Sequence, residues 1–120
     1  MIDFKSLQRI AEDEFADVVQ STVAMRSKLR VLIRDGSYAD FWWSLTMAGR
    51  FAYHWERTHV DGTIFRHDNM PDPHASGLGT FPQHFHDGSP DTVVESRISP
   101  RPQEGLRQFL QFVRDRLSSS

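Results

Sequence analysis

Residues 23–68 read VAMRSKLRVLIRDGSYADFWWSLTMAGRFAYHWERTHVDGTIFRHD, and their period decides the fold. From Val23 to Ile33 one face carries Val23, Met25, Ser27, Leu29, Val31 and Ile33, and the other carries Ala24, Arg26, Lys28, Arg30, Leu32 and Arg34. A period of two is that of a half-buried strand, here with a cationic outer face. Asp35-Gly36 follows, a hairpin dipeptide suited to turn positions with positive φ. Tyr38 to Met47 reads as the next strand, with Phe41, Trp43, Leu45 and Met47 on one face. Ala48-Gly49 marks a second turn. Arg50 to His59 is a third strand, where Phe51, Tyr53 and Trp55 alternate with Ala52, His54 and Glu56. After Asp61-Gly62, Thr63 to Asp68 is the fourth. Strands joined by such short turns predict an antiparallel meander.

Outward from this core, residues 1–20 hold Phe4, Leu7, Ile10, Ala11, Phe15, Val18 and Val19 at helical spacing behind an Asp3 cap. Residues 69–92 are rich in His, Pro and Gly and show no period, so they read as a long loop. Thr92 to Ile98 is a candidate fifth strand. Residues 103–117 form a second amphipathic helix through Leu106, Phe109, Leu110, Val113 and Leu117, and residues 118–120 are expected to fray. The expectation is one α+β domain over 1–120. It has a four- to five-stranded antiparallel meander (22–68) with an N-terminal and a C-terminal helix. Both helices bury against one sheet face, which leaves the cationic face open.

Composition narrows the function classes. The chain has 120 residues, a net charge of −2 and no cysteine. A disulfide scaffold, a thiolate zinc site and a Cys nucleophile are excluded. Nine Phe, three Trp and two Tyr supply a core, so wholesale disorder is excluded too. No apolar run approaches a membrane span, and the acidic N-terminus does not suit a signal peptide. A soluble, cytoplasmic protein without a membrane partner is the expectation. The chain holds twelve Arg and two Lys. That ratio fits a GC-rich genome, or phosphate recognition by guanidinium groups. There is no internal repeat and no glycine-rich phosphate loop.

The residues able to do chemistry lie between positions 53 and 86, a span that holds all six histidines. His84 and His86 point the same way in extended chain. They suit a general acid and base, or a metal pair whose third ligand would come from His74, Asp68 or Asp87. Structured loop hydrogen bonds are the plainer alternative. Asp68 can orient a histidine or make an Asx-turn before Pro71. Arg66 shares its face and can pair with it or clamp phosphate. His54 lies opposite the aromatic stripe, toward the cationic strand. Arg26, Lys28 and Arg30 are candidate backbone contacts for nucleic acid, or an ordinary solvated face. Trp42 falls off the core face, where an aromatic beside cations can stack on single-stranded RNA or anchor a protein.

In order, the chain carries Tyr53-His54-Trp55, Asp61-Gly62, Arg66-x-Asp68-Asn69-x-Pro71 and Thr80-Phe81-Pro82-x-His84-x-His86, then an amphipathic helix. This order resembles the TumE-like toxins of prokaryotic toxin–antitoxin modules, over roughly residues 22–117. The family pattern has paired histidines after its Asp-Asn-Ala-Pro segment, where this chain has Asp72-Pro73 and then His74. It often has a third histidine where this chain has Gln83. The resemblance implies growth inhibition and a cognate helix-turn-helix antitoxin. RNA as the target is an analogy with other small toxins of such modules.

Three readings compete. The first is a metal-independent ribonuclease without cofactor. It casts His84 and His86 as acid and base, Asp68 as their orienter, His54 as a spare, and Arg66 with Asn69 on the phosphate side. The second is a non-enzymatic module that binds protein or nucleic acid, its histidine segment being structural. The third is a DNA-binding regulator whose affinity falls steeply with salt. A homodimer is left open.

Overall fold

The computed structural model describes residues 1–119; Ser120 of the expected frayed tail lies outside them. One antiparallel sheet of seven strands runs in sequence order: β1 Val19–Ala24, β2 Lys28–Ile33, β3 Tyr38–Trp43, β4 Phe51–Arg57, β5 Thr63–Asp68, β6 His84–Gly88 and β7 Val93–Glu95. The α+β class and the meander stand. The count of four to five strands is corrected to seven, for two physical reasons.

First, Val23–Ile33 is not one strand. The chain reverses at 25–27, with Met25 N–H bonded to Lys28 O at 2.8 Å, and β1 folds back on β2. The reversal flips the parity. Val23 sits opposite Arg30 on the polar face and is exposed, whereas Ala24 sits opposite Leu29. The N-terminal helix is correspondingly shorter than 1–20. It comprises α1 Phe4–Arg9 and a π-helical turn Ile10–Glu14, and Phe15 leaves helical geometry at φ −124°. Val19 fits a helical and a strand period equally, and its β-branched side chain favours the strand, while Val18 lies in the turn just before β1. Second, the expected loop 69–92 contains β6, which pairs with β5 from Asp68↔His84 to Ile64↔Gly88. A short helix, α2 Thr58–Asp61, also interrupts the expected β4–β5 turn and is closed by Gly62 at φ +81°. Leu45 and Met47 lie exposed in the β3–β4 connection, beyond the end of β3.

α3, Pro102–Ser118, presents Leu106, Phe109, Leu110 and Val113 to one face of the sheet. That face supplies Leu29, Val31, Phe41, Phe51, Tyr53, Trp55 and Phe65, all buried. Leu7, Ile10 and Phe15 from the N-terminal segment close the same core. Arg107 pairs with Glu14 and Arg114 with Asp17, each at 2.8 Å, which ties α3 to that segment. Both helices thus occupy one side, and the alternation of each strand delivers every second side chain to the other. Among the described residues no helix is long and apolar enough to cross a membrane.

Candidate functional site

The helix-free face is ordered by strand register. Arg30, Asp40, His54, Arg66 and His86 are successive cross-strand partners from β2 to β6. A parallel row holds Lys28, Trp42, Ala52, Asp68 and His84. Adjacent strands lie about 4.8 Å apart, so each row brings neighbouring side chains within reach. Arg66 and Asp68 of β5 therefore stand beside His86 and His84 of β6 as a two-by-two block.

Asp68 is buried, and both its oxygens are held. Arg66 Nε donates to Oδ2 at 2.9 Å, and the Met70 N–H donates to Oδ1 at 3.0 Å. The Asx-turn and the arginine pair thus coexist. The terminal amino groups of Arg66 carry no hydrogen bond among the described residues, and its side chain is about one-third open, at 31%. His84 is 1% exposed and His86 half-buried, with their rings edge-on at 4.9 Å between centroids. His84 Nδ1 lies 2.8 Å from Pro82 O, and His86 Nδ1 lies 3.0 Å from Pro90 O. A carbonyl oxygen only accepts, so each Nδ1 carries the proton and donates it. Each Nε2 is left without that proton, and the His84 one faces the cluster. His84 Nε2 is 3.4 Å from Asp68 Oδ1. Asp68, His84 and His86 each offer a ligand atom, and these lie within 4.8 Å of one another.

His54 reaches Glu56 rather than the cluster. Its Nε2 is 3.1 Å from Glu56 Oε1, and its Nδ1 is buried without a partner among the described residues. Burial alone would raise the Glu56 carboxyl. Hydrogen bonds from Thr58 and His54 outweigh it and hold the group down to about 2. A depressed carboxyl stabilises the fold above its ordinary value of 4.5, and that stability is lost as pH falls from there to about 2. Glu56→Gln is expected to cost on the order of 1–3 kcal/mol at neutral pH. It should also flatten stability across that acid window, as urea midpoints measured from pH 2 to 7 would show. An unchanged acid slope would refute the assignment.

Other expected site residues are engaged elsewhere. Arg30 is bidentate on Asp40 at 2.8 and 2.9 Å and Lys28 bonds the same carboxylate at 3.0 Å, so both cations are engaged by one carboxylate and their charge is partly offset. Arg26 sits exposed in the β1–β2 turn. Asn69 accepts from Phe51 N–H at 3.0 Å and donates to Gly49 O at 2.7 Å, so it staples the β3–β4 connection instead of facing a substrate. Trp42 is half-buried on the helix-free face. His74 is exposed and bonds Asp72 at 3.1 Å, and Asp87 lies opposite Phe65, so neither joins the cluster. His67 belongs to the core side, stacked 4.1 Å from Phe85, and desolvation lowers it to about 3.

The residues that sequence reasoning missed are the anchors. Glu56 was visible only as a strand residue two places from His54. The Pro82 and Pro90 carbonyls have no side-chain signature. A cleft of about 310 Å³ lined by Asp72, His74, Pro90, Asp91 and Val93 adjoins the His86 anchor. The larger cavity, about 580 Å³, lies between the N-terminus and the start of α3 and holds no histidine.

A family model described as Toxin TumE matches residues 3–117, nearly the whole chain. Searches of curated proteins and of solved structures return no match. The match runs from just before α1 to the last turn of α3. The chain belongs to the TumE family of toxins.

Proposed function

We propose that this chain is the toxin of a toxin–antitoxin module and that it cleaves RNA at the Arg66–Asp68–His84–His86 face. The observation that carries this reading is the two-by-two block on β5 and β6, where a guanidinium about one-third open stands directly opposite a half-buried imidazole. Cleavage at a 2′-hydroxyl needs a group to take its proton, a cation for the phosphorane and a proton for the leaving oxygen. Arg66 offers the cation. Its Nε is committed to Asp68, and the outer edge of its fork remains for phosphate. His86 flanks it on β6, so the phosphate has an imidazole beside the guanidinium. His84, at 1% exposure, is placed to position the cluster rather than to meet the chain of an RNA. A helix-turn-helix antitoxin is the proposed partner and the cytoplasm the proposed site of action.

The experiment is induced expression in a bacterial host, wild type against His86→Ala, with RNA taken from arrested cells. Wild type should arrest growth and fragment RNA. Purified His86→Ala should cleave at least about 100-fold more slowly, the scale of losing one group at the reacting centre, and should leave growth near normal. Equal arrest by both proteins, with intact RNA, would overturn the nuclease and favour a binding module.

A further inference from the structure

We infer that Asp68, His84 and His86 form a binding site for one divalent transition-metal ion of the zinc type, with an open position toward the RNA phosphate. This rests on the reading of that face as the site of RNA cleavage, and it replaces the metal-free assignment of the two histidines.

Four observations converge. Both imidazoles spend their Nδ1–H on backbone carbonyls, Pro82 O and Pro90 O. Metal-ligating histidines characteristically donate the far N–H in this way, which fixes the tautomer and frees the other nitrogen. Next, His84 Nε2 stands 3.4 Å from Asp68 Oδ1. That is long for an imidazolium–carboxylate hydrogen bond, which closes to about 2.8 Å. It equals the edge of a tetrahedron whose ligands sit about 2.0–2.1 Å from its centre, roughly 3.4 Å. Third, the carboxylate is aimed from behind by Arg66 and the Met70 N–H. Last, Asp68 and His84 are 4% and 1% exposed. A buried carboxylate oxygen facing the His84 Nε2 lone pair is repulsive unless a proton or a metal ion lies between them, and the 3.4 Å gap is the wider spacing that an ion takes.

Two nitrogens and one carboxylate oxygen form a borderline donor set. It suits zinc and the neighbouring first-row divalent ions better than calcium or magnesium. Three protein ligands leave a place for water or a phosphate oxygen, the pattern of catalytic rather than structural sites. Arg66 sits beside the carboxylate, so an ion here and that guanidinium would act on the same phosphate.

The test uses the full chain, stripped with chelator and titrated with zinc against a chromogenic competitor. Cobalt(II) serves as the spectroscopic probe. The expected result is one zinc per chain and visible cobalt absorption of a tetrahedral N/O site. Asp68→Asn and His86→Ala should each weaken zinc binding by roughly 100-fold or more, a loss at the upper end of that seen for outer partners of such sites. His59→Ala, on the far turn, should bind as wild type. Thermal unfolding of each variant checks the fold. Sub-stoichiometric binding, or equal binding by His86→Ala, overturns the site. RNA cleavage is followed in parallel with and without chelator. Zinc binding with no cleavage overturns the nuclease and keeps the site, whereas cleavage that persists in chelator without zinc binding does the reverse.

Discussion

Phe109→Ala is expected to cost about 3–5 kcal/mol of folding stability. The ring is inaccessible to solvent and meets three strands at once. It packs edge-on to Phe41 of β3 at 5.6 Å, against Tyr53 of β4 at 6.2 Å and edge-on to His67 of β5 at 5.7 Å. Truncation removes a large apolar surface and opens a cavity that rigid aromatic neighbours cannot collapse into. It also cuts the contact between α3 and the strands that carry His54, Arg66 and Asp68. A domain with about 5–15 kcal/mol in total would be left marginal. The check is a urea titration, in which the midpoint should fall while the slope holds. A loss below about 1 kcal/mol would mean that the helix is not seated as described.

Gly105→Ala is expected to be of similar size, about 3 kcal/mol, and opposite in sign to the usual rule. In most helices that change stabilises by about 0.5–1 kcal/mol, because alanine loses less backbone entropy. Here an added Cβ would run into Tyr53 Oη, Tyr53 Cζ and the Ser99 carbonyl. None of these can move freely. Tyr53 Oη donates to Ser99 O at 2.9 Å and accepts from Trp43 Nε1 at 3.3 Å, inside the core. The methyl group must break that link or lift the first turn of α3 away from β4, and overpacking of this kind costs about 1–3 kcal/mol before hydrogen bonds are counted. A double variant separates the causes. In the Tyr53→Phe background the clashing oxygen is gone, so Gly105→Ala should cost measurably less there. Strict additivity would show that the clash lies elsewhere.

The face assignments were legible where strict alternation runs unbroken. Leu29, Val31 and Ile33, and then Phe51, Tyr53 and Trp55, announce the core side, and His54 follows to the other side by parity alone. The reversal at Met25-Arg26-Ser27 was not legible. It contains no Gly, Pro or Asn to signal a turn, and alternation appears to continue through it. β6 was hidden by its punctuation. Pro82 and Pro90 flank a strand of only five residues that itself ends on Gly88, and such punctuation reads as loop. His84 and His86 were correctly placed on one face by their spacing. Their neighbours Asp68 and Arg66 depend on the β5–β6 register, which is set by the path of residues 69–83 and not by local pattern. The fates of Asn69, Lys28 and Arg30 were invisible for a related reason. Whether a polar side chain is free depends on partners supplied by other strands.

The strand order has a consequence in time. Every pairing in the sheet joins neighbours along the chain, so each closes a short loop and little entropy is lost per step. The Arg107–Glu14 and Arg114–Asp17 contacts instead join residues 93 and 97 positions apart. Short-range closures come early and long-range ones late. Hairpins therefore form first, and the docking of α3 against the N-terminal segment is the closing event. Since α3 supplies much of the core beneath β4 and β5, the polar block acquires its geometry only at that last stage.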